Sequence, residues 1–150
     1  MRCPGNPSQP EGCGLLAPSF AETRWDEIAR LYELLDAVAP SPLNTLNRAI
    51  AIAEWKGPEA GLAVLQALEP PAWLLGYYLW DATLGELYRR SGDRDRALSH
   101  LARALDAAPI QAEKALLTRR IAECTELGRL DRWIDQSIEA ATVAEALAER

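Results

Sequence analysis

The sequence is poor in the residues that build most catalytic and metal sites. It has one histidine, His100, and three cysteines, Cys3, Cys13 and Cys124, without paired spacing. An odd number of cysteines indicates a reducing compartment rather than a disulfide framework, and one histidine supplies no ligand set for zinc. We expect His100 to be a surface side chain and Cys124 a small buried hydrophobe. The sequence therefore predicts no catalytic residues, no cofactor and no metal site, and a protein that is not an enzyme.

Long apolar runs and an excess of positive charge are also lacking. No apolar run approaches the roughly 18 residues of a membrane span, and residues 1–17 have no signal-peptide features, so a cytoplasmic location is expected. The chain has 22 acidic and 16 basic residues and a net charge of −6, which disfavours direct binding to nucleic acid. Arginines occur in two groups beside acidic residues, a pattern that predicts solvated, salt-bridged helix faces. These groups are Arg89, Arg90, Arg94 and Arg96 near Glu86, Asp93 and Asp95, and Arg119 and Arg120 near Glu113 and Glu123.

What remains is a helical sequence behind a short tail. Residues 1–18 are rich in proline and glycine and are expected to be a flexible tail, whereas 19–150 form one helical domain. Alanine and leucine dominate with three-and-four spacing, and sustained two-residue alternation is absent, so the fold class is all-α. The predicted helices extend from a Thr23 cap to Val38, from Pro42 behind a Ser41 cap to Gly57, from Pro58 to Pro70 and from Ala72 to Ser91. Further helices are predicted from Asp93 or Asp95 to Pro109, from Ala112 to Leu127, where Gly128 ends the helix, and onward from an Asp131 cap.

A repeat runs through these helices. Gly57, Gly92 and Gly128 each lie between two predicted helices, 35 and 36 residues apart, which is typical of helical solenoids. The clearest unit carries Leu84, Gly85, Tyr88, Gly92, Ala97, Leu101, Ala104 and Pro109. It resembles the tetratricopeptide repeat, in which small residues let two helices approach and large ones fill the space around them. The resemblance implies an α-α superhelix of antiparallel helix pairs with about seven helices: one leading helix and three pairs.

A second resemblance covers residues 18–124. It is carried by the stretches Thr23–Ile28, Pro40–Leu43, Leu46–Ala53, Gly57–Leu62, Gly76–Leu79 and Leu87–Gly92. These are similar to the tetratricopeptide-like carboxy-terminal domain of a subgroup of extracytoplasmic-function sigma factors. The sigma regions that bind the −10 and −35 promoter elements have no counterpart in the chain. The resemblance therefore implies a separated regulatory domain, or a fragment of a longer sigma factor, that does not initiate transcription by itself.

The function implied is regulation of transcription through protein contacts with sigma regions or RNA polymerase. The expected binding surface is a concave groove around Asn44, Asn47, Arg48, Tyr77 and Trp80. An acidic surface could mask basic DNA-binding regions of a sigma factor. Two alternatives stay open: a general peptide-binding adaptor unrelated to transcription, and an enzyme with an inter-helix site that the sequence does not reveal.

The candidate groove residues also have a structural interpretation. Asn47 could bond to a neighbouring helix, and Arg48 could pair with Glu54 or Glu33, because buried polar groups need partners. Trp73, Tyr77, Tyr78 and Trp80 are close in sequence and at core spacing, although such aromatics are also enriched in binding hot spots. Since Tyr77, Tyr78 and Trp80 point in different directions around a helix, Tyr77 or Trp80 is expected to be the more exposed.

Overall fold

The computed structural model describes the backbone of residues 19–148 and the side chains of residues 19–136 except Trp133. The tail 1–18, with Cys3 and Cys13, lies outside the described residues. Within residues 19–148 the chain is helical without strands, which confirms the all-α prediction. A short 3-10 helix, Phe20–Glu22, comes first. It is followed by α1 (Trp25–Val38), α2 (Pro42–Lys56), α3 (Pro58–Gln66), α4 (Ala72–Leu75), α5 (Tyr78–Ser91), α6 (Arg94–Ala107) and α7 (Gln111–Ala148).

Most helix boundaries follow from local chemistry. The Ser41 hydroxyl accepts a hydrogen bond from the backbone N–H of Leu43 at 3.3 Å, and Pro42 occupies the first helical position of α2. Gly92 ends α5 in the left-handed region at φ 87°, where a side chain would be strained. The Asp93 carboxylate then accepts the N–H of Arg96 at 3.1 Å and caps α6. These starts and stops confirm the predicted ones.

The start of α1 differs from the prediction. Arg24, not Thr23, precedes the first helical residue, and its side chain makes no capping hydrogen bond. Thr23 instead closes the short 3-10 helix, where its backbone N–H donates to the carbonyl of Phe20 at 3.3 Å. The preceding turn therefore uses the threonine that the sequence suggested as a cap.

The predicted single helix from Ala72 to Ser91 is wrong. It is broken at Gly76 and Tyr77, where Tyr77 has extended backbone angles of φ −90° and ψ 115°. In one straight helix Leu74 would lie about 120° around the axis from Trp80. The break allows both side chains to be buried in the same core cluster, at 0% and 6% exposure. Tertiary packing thus overrides a sequence that is locally compatible with a helix.

The predicted stop at Gly128 and the predicted cap at Asp131 are also wrong. Backbone helix continues through both residues, so that α7 extends from Gln111 to Ala148. Glycine costs a helix interior about 1 kcal/mol, and strong helix formers on both sides offset that cost. The Asp131 side chain pairs with Arg94 of α6 instead of capping a new helix.

Close approaches hold the helix pairs together. The pairs α2–α3 and α5–α6 each reverse direction across one or two residues and pack along their length, while α3 contacts α5 and α6 contacts α7. A Cβ built on Gly61 of α3 would lie 2.7 Å from Cβ of Ala53, and one on Gly85 of α5 would lie 2.7 Å from Cγ of Leu101. This stacking of pairs is the α-α superhelix that the repeat predicts.

Among the side chains that the structure describes, the core consists of two adjoining clusters. The first joins α2, α3, α4 and α5 through Leu46, Ala49, Ala53, Leu62, Leu65, Leu74, Trp80, Leu84 and Leu87. The second joins α6 to α7 through Ala97, Leu101, Ala104, Ala108, Leu117 and Cys124. Tyr88 packs against both clusters and makes the repeats continuous. None of the helices described is long and apolar enough to cross a membrane.

Candidate protein-binding groove

A groove separates α2 from α5, the first helices of the α2–α3 and α5–α6 pairs. It encloses about 220 Å³. Its lining combines an apolar floor with charged edges: Ile50, Glu54, Ala82, Thr83, Glu86, Leu87 and Arg90. Apolar surface with a few convergent polar groups is the usual composition of a recognition site.

The edge of the groove is closed by an ion pair between the two helices. The Arg90 guanidinium donates to the Glu54 carboxylate at 2.5 Å and to the carbonyl of Ala53 at 3.3 Å. The Arg90 and Glu54 side chains are 28% and 21% exposed, so solvent screens the pair only in part. The pair links α2 to α5 and presents one charge of each sign at the groove.

A second set of charges continues from α5 to α7. Glu86 accepts two hydrogen bonds from Arg89, at 2.9 and 2.7 Å, and lies 3.7 Å from the Arg120 guanidinium of α7. The bond to Glu86 raises the pKa of Arg89 above its ordinary value. Arg120 also donates to Glu123 at 3.3 Å. The two arginine groups thus lie on salt-bridged helix faces, as predicted.

The three polar residues predicted for the groove occupy α2 but do not line this cavity. The Asn44 amide donates to the carbonyl of Ala39 at 3.0 Å and ties the end of α1 to α2. Asn47 is exposed, and Arg48 is partly buried. Among the described residues, Arg48 forms no ion pair with Glu54 or Glu33, and its buried Nε has no hydrogen-bond partner.

The two aromatic candidates differ in exposure. Tyr77 is 37% exposed and contacts the ring of Tyr78 edge-on, with centroids 5.7 Å apart. Of the two side chains expected to be the more exposed, Tyr77 is therefore the exposed one. Trp80 lies in the core, which corrects its place among the groove candidates. Neither side chain lines the cavity between α2 and α5.

The structure contains a polar cluster between α5 and α6 that the sequence did not predict. Asp81 is 8% exposed, and its carboxylate contacts His100 Nδ1 at 2.7 Å and Arg103 Nε at 3.0 Å. The His100 ring stacks on Tyr88, with centroids 5.5 Å apart. His100 is therefore half-buried rather than a surface side chain. The sequence shows that α5 contains Asp81 and that α6 contains His100 and Arg103. Only the packing of α5 against α6 brings these side chains into contact.

Two further contacts attach α7 to the preceding pair. The Tyr78 hydroxyl donates to Glu113, and this bond raises the pKa of Tyr78 to about 12 because the carboxylate disfavours a nearby phenolate. Cys124 is 1% exposed, and burial raises the pKa of its thiol. The expectation that Cys124 is a small buried hydrophobe is confirmed.

A larger crevice of about 550 Å³ lies where the α5–α6 turn faces α7. Its charged lining residues are Asp93, Arg94, Asp95, Asp131, Arg132 and Asp135. Acidic and basic side chains are interspersed along this lining, and Arg94 pairs with Asp131 across the crevice. In the part of the chain that the structure describes, no group of three or more His, Cys, Asp or Glu side chains is arranged to hold a metal ion.

Part of this chain is similar to known proteins. The family model described as tetratricopeptide repeat matches residues 82–116, which cover most of α5, all of α6 and the start of α7. The chain is also 35% identical over 100 residues to an uncharacterized protein of Rhizobium meliloti (strain 1021). That match covers 67% of this chain but 23% of the relative, so the chain spans about a quarter of the relative's length. No solved structure matches. The chain thus contains a tetratricopeptide-like domain, a type that typically binds proteins rather than catalysing reactions.

Proposed function

We propose that this tetratricopeptide-like protein-interaction module holds an extended segment of a partner protein in the groove between α2 and α5. The observation that carries the proposal is the joint presence of an apolar floor, with Ile50 and Leu87, and the Glu54–Arg90 pair at the edge. An extended segment can place apolar side chains on that floor. Its backbone or charged side chains can exchange hydrogen bonds with the edge pair.

The partner that we propose is part of the transcription machinery, namely sigma regions or RNA polymerase. The support for it is the resemblance of the sequence stretches named above, which fall in α1, α2, α3 and α5, to the carboxy-terminal domain of certain sigma factors. In the Rhizobium relative the matching segment is a minor part of a longer chain, as expected of a module joined to other domains. A cytoplasmic location belongs to this proposal, because sigma regions act there.

A general peptide-binding adaptor accounts equally well for the fold and the groove. The remaining alternative, an enzyme with an inter-helix site, gains less support. The two carboxylates that line the groove, Glu54 and Glu86, are each paired with arginine rather than arranged as an acid–base couple.

The test is a charge swap that retains the edge pair but reverses its direction across the groove. Glu54→Arg with Arg90→Glu should keep the melting temperature close to that of the wild type. Affinity for sigma regions or polymerase should fall by at least about tenfold, since a reversed edge pair opposes the partner's charges. The matched control is Glu126→Arg with Arg129→Glu, an exposed pair on α7 with the same chemistry.

The outcomes separate the alternatives. Binding of short peptides without affinity for sigma regions or polymerase would favour the general adaptor. Equal loss of binding in both swaps would point to net surface charge rather than the groove. If the acidic surface masks basic sigma regions, affinity must weaken as salt is raised, and a salt-independent affinity would contradict that mechanism.

The predicted residues Asn44, Asn47, Arg48 and Tyr77 remain a proposal for an adjacent part of the binding surface. Arg48→Ala distinguishes the two interpretations of this side chain, which lacks a partner among the described residues. Loss of partner binding without loss of melting temperature would assign Arg48 to binding. A lower melting temperature with unchanged affinity would assign it to packing.

A further inference from the structure

The outer face of α1 carries an apolar stripe that no described helix covers. We define the α1 stripe as Leu31, Leu34, Leu35 and Val38, with exposures of 64%, 65%, 44% and 85%. These positions follow the spacing i, i+3, i+4 and i+7 and lie side by side on one helix face. The opposite face carries Ala29, which is buried, and packs against α2. Contiguous exposed apolar side chains of this kind mark interaction surfaces.

The position of α1 in the stack indicates what shape fits the stripe. Inside the stack α5 packs between α3 and α6, so that it has helix neighbours on two sides. The leading helix α1 has its packing partner, α2, on one side, and the stripe faces away from it. In a solenoid each layer is covered by the next, and the geometry that buries such a stripe is helix against helix.

The charge around the stripe indicates what kind of helix fits. Residues 19–38 contain five acidic side chains and two arginines, a net charge of −3 and half of the chain's total of −6. Glu27 and Glu33 are exposed on α1 itself. A second copy of this chain would bring like charges together, whereas a helix with lysine or arginine beside its apolar face would meet opposite charges.

The chain's own amino-terminal segment is a poor candidate for the occupant. Residues 1–18 contain prolines at positions 4, 7, 10 and 18, and their only leucines are Leu15 and Leu16. Such a sequence does not supply a helix with several turns of apolar side chains.

We propose that the α1 stripe docks an amphipathic helix of a partner protein, with aliphatic side chains on its apolar face and lysine or arginine on its flanks. This surface is separate from the groove between α2 and α5. The two proposals can therefore fail independently.

The test measures binding of a labelled amphipathic peptide to the full chain. The probe contains leucine at helical spacing and lysine elsewhere; a scrambled peptide of the same composition and a leucine–glutamate peptide serve as comparisons. Leu34→Ser with Val38→Ser should raise the dissociation constant at least about tenfold, because two apolar contacts are lost. The matched control, Leu75→Ser with Ile110→Ser, changes two exposed apolar side chains outside α1 and should leave the dissociation constant unchanged. Thermal melts establish that both variants fold.

Any of three other outcomes would overturn the proposal. Equal affinity for the scrambled or the acidic peptide would show that the stripe does not select a basic amphipathic helix. A wild-type dimer that Leu34→Ser with Val38→Ser dissociates would identify a second copy as the occupant. Tighter peptide binding by the variant Leu15→Ser with Leu16→Ser would identify the amino-terminal segment as the occupant of the α1 stripe. The charge swap of Glu54 and Arg90 should leave this peptide's affinity unchanged, which separates the result from the groove.

Discussion

Gly85 on α5 and Leu101 on α6 approach so closely that no side chain fits between the two helices. A Cβ atom built on Gly85 would lie 2.7 Å from Cγ and 2.8 Å from Cδ2 of Leu101, and 3.1 Å from its backbone nitrogen. Leu101 is 1% exposed and cannot move into solvent. The contact sets the distance between the helices of the best-defined repeat.

Gly85→Ala should therefore destabilise the protein. Alanine favours a helix interior by up to about 1 kcal/mol over glycine. Overpacking a filled core costs about 1–3 kcal/mol, so we expect a net loss in the free energy of unfolding measured in urea. Gly76→Ala is the control, because its Cβ would meet nothing nearer than the Trp73 carbonyl at 3.8 Å. Unchanged or greater stability of Gly85→Ala would show that the pair is not tightly packed.

The ion pair between Glu54 and Arg90 should contribute a measurable coupling to stability. A double-mutant cycle with both residues changed to alanine should give a coupling energy of about 0.5–1 kcal/mol, because the pair is only partly screened. Raising the salt concentration should reduce it. The same cycle on the exposed Glu126 and Arg129 should give a value near zero, and equal couplings would argue against a special role for the groove pair.

Tyr78 should titrate well above the ordinary pH range of tyrosine. Its pKa is raised from the ordinary 10.0 to about 12 by the bond to Glu113, so the folded state holds this proton more tightly than the unfolded state. The stabilising effect is therefore complete below pH 10 and is lost as pH rises toward 12. Tyr78→Phe should remove the step near pH 12 from the ultraviolet titration of tyrosinate and flatten the fall in stability over this range. A step near pH 12 that persists in Tyr78→Phe would contradict the assignment of this step to Tyr78.

Cys124 should be protected from thiol reagents in the folded state. Burial leaves it 1% exposed and raises the pKa of its thiol, so both access and the thiolate fraction are low. In a Cys3→Ser, Cys13→Ser variant, an aromatic disulfide reagent should react at least about a hundredfold faster in unfolding concentrations of urea than in buffer. Fast reaction in buffer would mean that α7 separates readily from α6.

The sequence was sufficient for features that depend on neighbouring residues. Ser41 and Pro42 start α2, Gly92 ends α5 and Asp93 caps α6, because each acts within three or four positions of itself. The repeat of glycines and small residues likewise indicated stacked helix pairs. The all-α superhelix followed from these local signals and from the three-and-four spacing of the apolar residues.

The tertiary structure decided which side chains meet and where helices break or continue. The break at Gly76 and Tyr77 allows Leu74 and Trp80 to be buried in one core, and it leaves Tyr77 as the exposed aromatic of the two candidates. The continuous α7 overrode Gly128. Glu54 and Arg90, like Asp81 and His100, lie far apart in sequence, and no local pattern shows that they touch. Their pairing, and with it the groove, results from the packing of whole helices, in which burial of apolar surface outweighs local propensity.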